Sequence, residues 1–313
     1  MPSWSAVLRE IQGTPQTSSL DTVRRKYLKI MHEYTGRNVI AYYSGFLQKP
    51  GFDAKTGIDD LDKNGFMQTI YGLDKSEGLD LILHTPGGSI AATESLVTYL
   101  RSIFNDNIRA FVPQMAMSAG TMIALSCKAI VMGKESNLGP IDPQFGGMSC
   151  IGVLDAFSRA KKDIISNPAL ASYYAPMLCN YPPTFLGDCE NAVAWAAKTV
   201  EAWLRTNMLK DEKDPEKVAK DIVEKLSNHA LTFSHNKHLS PQELKELGIK
   251  IVDLENCLPL KKHGCRDLQD CVLTIHHAYM QTFSFTNAVK IIENHNGSAI
   301  VSLANLNQGG THG

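Results

Sequence analysis

The sequence predicts an α/β protein built on a mainly parallel sheet, and three observations carry that reading. Between residues 79 and 132 the chain alternates short apolar runs with amphipathic stretches: LDLILHT, IAATESLVTYLRSIF, IRAFVP, AGTMIALS and AIVM. Apolar runs of this length, bounded by turn residues, are the mark of strands buried on both faces. A strand–helix–strand–helix–strand succession joins parallel neighbours through right-handed crossovers. At 313 residues the chain can bury a large core, enough for one large domain or one and a half.

Taken in order, Leu20, Val23, Tyr27, Ile30, Met31 and Tyr34 recur at helical spacing, and Gly36 stands where a C-terminal glycine belongs. Residues 19–34 are therefore a predicted helix. NVIAYY, residues 38–43, reads as the first strand. Tyr42, Tyr43 and Ser44 at its end face either the core or a cleft, with packing the ordinary role. The polar stretch 51–62 contains Asp59, Asp60 and Asp62 but lacks the glycine and distal glutamate of a calcium loop. It reads as a solvated loop or helix N-terminus, followed by a helix over 63–73.

Residues 79–85 form a strand broken by Pro86-Gly87-Gly88. A helix over 91–104 puts Ala92, Leu96, Tyr99, Leu100 and Ile103 on one face. Strand 108–113, short helix 119–126 and strand 129–132 follow. Further on, residues 151–167 show helical periodicity through Leu154, Phe157, Lys161, Ile164 and Ile165. Residues 168–183, with Pro182–Pro183, read as irregular. Helices are predicted at 191–209 and 214–226, the second with Asp214 as N-cap and Pro215 as first helical residue. Ser240-Pro241-Gln242-Glu243 is a capping box, and Gly248 closes its helix. Residues 249–254 read as a strand and 268–283 as a helix. Residues 289–303 read as a hairpin turning at His295-Asn296-Gly297. The final GGTHG is expected to be disordered.

Composition excludes several classes. With charged residues at 20% and a net charge of −1, no bulk field favours nucleic acid or an anionic membrane. No apolar run approaches the roughly 20 residues of a transmembrane segment. The N-terminus lacks a basic-then-apolar leader, so the expected location is cytoplasmic. The 7 cysteines are odd in number and form no C-x-x-C, which suits reduced, buried thiols. Cys257, Cys265 and Cys271 with His263 match no standard zinc spacing.

Two features carry chemistry. Gly87–Gly88, between a buried strand and a helix, lets backbone N–H groups point at a ligand and could form an oxyanion hole, or it is simply a tight turn. Neither G-x-G-x-x-G nor G-x-x-x-x-G-K-[ST] is present, which disfavours nucleotide binding. Ser118 lies between a buried strand and a helix of small residues. There the helix dipole favours a developing alkoxide and the N–H of Ala119 offers a further donor. The plainer role is a helix cap.

Together, HTPGGSIAATESL, MSAGTMIALSCKAIVM and SNLGPIDPQ resemble the Clp-fold serine peptidases, and most of all the serine dehydrogenase proteinase family. The resemblance is carried by residues 39–144 and again by HNKHLSPQELKELGIKIVDL. It implies a Clp/crotonase-like spiral of β-β-α units with additional C-terminal helices. It also implies Ser118 as nucleophile, with Gly87, Gly88 and Ala119 near the oxyanion hole. The matching division is an N-terminal helical segment (1–36), a catalytic domain (37–255) and a C-terminal helix and hairpin extension (256–313). A homo-oligomer and a peptide or protein substrate follow from the same resemblance. No metal or organic cofactor is implied.

The general base departs from the Clp pattern. The Clp subunit has a histidine in the segment similar to residues 136–147, where this chain carries Ile141-Asp142-Pro143. Signal peptide peptidases use a lysine further along, in the window occupied by Lys161 and Lys162. Lys161 also falls on the face of Leu154, Phe157, Ile164 and Ile165, where desolvation could fit it to act as a base. Lys162 is roughly 100° away around the helix. His235 and His238 are alternative bases or substrate contacts, and Asp142 could orient a base or sit in a rigid turn. His84 reads as a core histidine. Two other functions remain: a crotonase-like acyl-CoA hydratase or hydrolase, and a non-catalytic oligomeric scaffold.

Overall fold

The computed structural model describes residues 4–13, 19–227, 237–256 and 265–304. Helices α1 (Trp4–Gly13) and α2 (Ser19–Thr35) lead into β1 (Asn38–Ser44). Short α3 (Asp53–Thr56) and α4 (Asp62–Ile70) precede β2 (Leu79–His84), α5 (Ile90–Phe104) and β3 (Ile108–Val112). Then come β4 (Met115–Ala116), α6 (Ala119–Leu125), β5 (Ala129–Met132) and β6 (Asn137–Leu138). A small hairpin, β7 (Gln144–Phe145) and β8 (Met148–Ser149), opens a helical excursion: α7 (Cys150–Ser166), α8 (Ala171–Leu178), α9 (Phe185–Thr206) and α10 (Pro215–Ser227). The chain ends through α11 (Pro241–Glu246), β9 (Ile251–Asp253), α12 (Leu268–Phe285), β10 (Ala288–Asn294) and β11 (Ala299–Leu303).

The main sheet has seven strands in the order β11-β10-β1-β2-β3-β5-β9. From β1 to β9 every pairing is parallel, as the alternating strand and helix patterns require. The β10–β11 hairpin joins β1 antiparallel and forms one edge. Period-two alternation along the strands divides the interior into two cores. Val39, Ala41, Tyr43, Ile82, Phe111 and Val131 face α2 and α12. Ile40, Tyr42, Leu81, Leu83, Ala110 and Val112 face the layer of α4, α5, α6, α9 and α10. Each fully buried Val, Leu, Ile or Phe side chain there contributes roughly 1.5–3 kcal/mol. A buried charge ties the start of the sheet together: Asp80 accepts from Arg37 and from Arg109, each at 2.7 Å.

Local signals resolved as expected at several ends. Gly36 has φ +62° and donates its N–H to His32 O, closing α2. The capping box at Ser240 and Glu243 is present in both directions. Three expectations need correction. Residues 168–183 are not wholly irregular, because α8 forms with Pro176 inside it. Helix α9 begins at Phe185, ahead of residue 191, because Gly187 and Asp188 interrupt the apolar pattern without breaking the helix. Asp60 is exposed and α4 begins at Asp62, in keeping with a helix N-terminus, but Asp62 itself is not solvated, being 4% exposed and ion-paired. His235, Cys257, His263 and the final GGTHG lie outside the described residues.

Candidate active site

The site sits at the carboxyl ends of β2 and β3, where open parallel sheets place ligands. β2 ends at His84, and Thr85 stays in register with the short strand β4 through a parallel bridge to Ala116. Thr85 donates to Met115 O at 3.3 Å, and Met117 donates back to Thr85 O at 3.0 Å. These bonds carry the β2 end and the Met117–Ser118 turn as one unit.

Ser118 has φ +52° and ψ −116°, an uncommon conformation for a residue with a side chain. Such backbone strain persists only where the surroundings over-determine it. Here they do. Gly120 donates to Met117 O at 2.8 Å, and the Thr121 hydroxyl bonds both Ala116 O and Gly139 O. Small residues are required on every side. A Cβ on Gly120 would fall 2.5 Å from Thr85 Cγ2, and one on Gly139 would fall 2.8 Å from Met117 Cε and 3.2 Å from Ser118 N. The turn lifts the half-buried Ser118 side chain into a cleft and away from capping, since its hydroxyl accepts no helix N–H.

The glycine pair reaches the same point from β2. A Cβ on Gly87 would sit 2.8 Å from both Met117 O and Ser118 Cβ, so the two turns are in backbone contact. Gly87 and Gly88 have φ of +103° and +154°. The pair is not equivalent in hydrogen bonding. Gly87 N–H donates to Thr85 Oγ1 at 3.2 Å. Among the described residues, the N–H groups of Gly88 and Ala119 have no acceptor. Gly88 is exposed, and Ala119 is the first residue of α6, where helix N–H groups lack intrahelical partners. Ala119 directly follows Ser118, and Gly88 lines the same cleft as Ser118.

The cleft above them holds about 880 Å³. Its walls are Ile90, Met122, Ile141, Pro143 and Phe145 near the sheet, with Phe185, Asp188, Asn191 and Trp195 from α9 opposite. Ser89, the other hydroxyl in the lining, is spent as the N-cap of α5, accepting from Ala92 N at 3.2 Å. No cysteine is among the described residues lining the cleft, and burial pushes the nearby Cys150 up to about 12, against thiolate formation.

No lysine or histidine is among the described residues lining the cleft. Lys161 and Lys162 are both exposed on α7. The inward orientation expected of Lys161 is therefore corrected. The face of α7 that packs is Cys150, Val153 and Ala160 with Leu154 and Phe157 beside them, and it does not extend to Lys161 or to Ile165, which is 71% exposed. Phe157, one turn before Lys161, meets Tyr181, and Tyr181 stacks on Phe185 at the cleft wall. Two aromatic rings thus stand between that turn and the cleft. His238 is exposed, and Leu239 beside it pairs with Leu138. Asp142 is buried between two cleft-lining residues, in a turn where Pro143 O accepts from Cys150 N at 2.9 Å. His84 points to the opposite core among Tyr43, Phe46 and His276, and burial lowers it to about 3.

Sequence reasoning missed the α9 wall and the residue behind the glycine pair, Ile58. Ile58 N–H donates to Gly87 O at 2.7 Å, and Ser89 N–H donates to Ile58 O at 2.9 Å. The signal was a lone isoleucine between Gly57 and a run of acids.

Over 190 residues the chain is 34% identical to the uncharacterized protein MJ1495 of Methanocaldococcus jannaschii, covering 61% of this chain and 57% of that protein. A second protein of that organism, MJ0137, is 29% identical over 190 residues, covering 61% and 59%. The matched region is thus less than two thirds of either relative. Two solved structures of the 1510-N membrane-bound stomatin-specific protease are similar at 18% identity. One, a serine-to-alanine mutant, covers 63% of this chain and 74% of its own with a TM-score of 0.35. The other, a lysine-to-alanine mutant in complex with a substrate peptide, covers 63% and 71% with a TM-score of 0.37. A family model matches residues 8–173, and the chain belongs to that family, the ClpP-like SDH-type serine proteinases.

Proposed function

We propose that this chain hydrolyses peptide bonds through an acyl-enzyme on Ser118. The observation that carries the reading is a strained Ser118 packed against Gly87 and sharing a cleft with Gly88, while the N–H groups of Gly88 and Ala119 have no acceptor among the described residues. In the reaction, Ser118 Oγ bonds to the carbonyl carbon as its proton passes to a base. The carbonyl oxygen becomes an oxyanion that accepts hydrogen bonds from Gly88 and Ala119. The C–N bond then breaks as the amine takes the proton. Water cleaves the resulting ester with the same proton traffic and frees Ser118. Each oxyanion donor contributes roughly 2.7–4 kcal/mol to the barrier reduction. Membership in a proteinase family puts this reading ahead of the acyl-CoA and scaffold readings.

For the proton acceptor the proposal keeps Lys161 or Lys162, on the strength of their sequence position after the serine. Both are exposed outside the cleft. The proposal therefore requires a shifted α7, or α7 of a second copy in a homo-oligomer, to bring an amine to Ser118. Turnover of fluorogenic peptide amides by the full chain tests the whole reading. Ser118→Ala is expected to lose at least about a thousandfold in kcat. Mixing Ser118→Ala chains with a Lys161→Ala, Lys162→Ala double variant restores activity if the amine comes from a second copy. If the double variant alone keeps wild-type kcat, the lysine assignment fails.

A further inference from the structure

The geometry points to Lys290 as a positioning residue for the oxyanion hole, acting through the Thr56–Asp59 segment. The inference rests on the reading of Gly88 as an oxyanion donor given above. Lys290 projects from β10, opposite Ser44 of β1, and is 3% exposed. Its ammonium has three donors, and all three are used. Nζ donates to Gly57 O at 2.6 Å, to Asp62 Oδ1 at 2.7 Å and to Asp59 Oδ2 at 3.3 Å. An ammonium so engaged has no free N–H for a substrate.

What it holds is the strip of backbone behind the glycine pair. Residues 56–59 are pinned one after another. Ser44 Oγ donates to Thr56 O at 2.8 Å, Lys290 takes Gly57 O, and Asp62 Oδ2 accepts from Asp59 N at 3.1 Å. Between the last two lies Ile58, which bridges to Gly88 and bonds Gly87 and Ser89 on either side of it. Tyr42 OH donates to the same Asp62 Oδ2 at 2.7 Å.

The fit is close. A Cβ on Gly88 would lie 2.2 Å from Ile58 N and 2.4 Å from Ile58 O. No slack exists between the strip and the turn, so a shift of Gly57 and Ile58 moves the Gly88 N–H. Oxyanion donors work only when preorganised, and misplacement by about 1 Å can cost around a hundredfold in rate. Lys290 is not among the described residues lining the cleft, so its route to catalysis runs through this strip.

The test uses the full chain as wild type, as Lys290→Met, and as Lys290→Met with Asp62→Asn. The second change removes the buried carboxylate that the first leaves without its cation. Three quantities are measured: the thermal midpoint, hydrogen–deuterium exchange of residues 85–92, and the rate of Ser118 modification by a fluorophosphonate, separated into its binding and inactivation constants. The expected result is a midpoint lost in the single variant and largely regained in the double. Exchange at 85–92 is expected to be at least about tenfold faster in both, with β3 unchanged. The inactivation constant is expected to fall roughly ten- to a hundredfold in both, with the binding constant unchanged. Unchanged exchange at 85–92, or an inactivation constant that returns together with the midpoint, overturns the inference. Should wild type fail to label, the peptidase reading falls, and the exchange measurement alone decides whether Lys290 braces the glycine turn.

Discussion

Replacing Gly88 by alanine probes the site at its tightest point. Its φ of +154° is strained for any residue with a side chain, and the added methyl would lie 2.2 Å from Ile58 N, well inside the 3.0 Å that real Cβ contacts respect. Both neighbours are backbone, so neither can swing aside as a side chain would. The turn must retreat by most of an ångström, breaking the bonds of Ile58 with Gly87 and Ser89 and displacing the Gly88 N–H. Loss of one oxyanion donor costs about 10²–10³ in kcat. Strain and the two lost bonds cost roughly 2–3 kcal/mol of stability. Gly72→Ala is the control: φ is +80° there with nothing within 4 Å, so it bears backbone strain alone. Peptide-amide turnover and thermal unfolding of both variants give the comparison. A Gly88→Ala protein that is folded and turns over at the wild-type kcat would refute the assignment of Gly88 to the oxyanion hole.

Other perturbations follow from the same geometry. Ser118→Gly abolishes turnover yet relieves the φ +52° strain, so its thermal midpoint should rise by about 2 °C, corresponding to about 1 kcal/mol; a lower midpoint would contradict the strain. Asp80→Asn leaves Arg37 and Arg109 without their shared buried carboxylate and should cost about 3 kcal/mol in denaturant unfolding, less than a fully enclosed pair because Arg109 is 33% exposed. Burial is the main cause lowering His84 to about 3 and His295 to about 4. The unfolded chain binds those protons near pH 6.5, so stability from both is complete above that value. It falls as pH drops toward 4, by up to about 1.4 kcal/mol per pH unit for each residue. A His84→Leu variant should show a shallower decline, and an equal slope would remove His84 from the explanation.

The parts of the fold legible in the sequence were those governed by local pattern. Strands β1, β2, β3 and β5 are apolar because both faces are buried, and helices α2, α5 and α12 carry apolar stripes with recognisable ends. Ser118 and the glycine pair were legible because each sits at a strand-to-helix break, where unusual backbone is needed. The division of labour within the trio was not. Whether Gly87 or Gly88 keeps a free N–H depends on the Thr85 hydroxyl, which no spacing rule reports. Lys161 misled because α7 is packed mainly through its first half: Val153, Leu154 and Phe157 face the helical core, but Ile165 is exposed, so the apolar stripe does not continue inward past Ala160. Asp62 misled in the opposite sense. Its partner Lys290 is brought to it by the pairing of β10 with β1, far along the chain.

The most direct test of the central claim is the intact mass of the folded full chain after exposure to a fluorophosphonate, with the modified peptide mapped. The account predicts one stoichiometric adduct, on Ser118, absent from Ser118→Ala. A folded wild-type chain that stays unmodified, or carries its adduct on another residue, would contradict it.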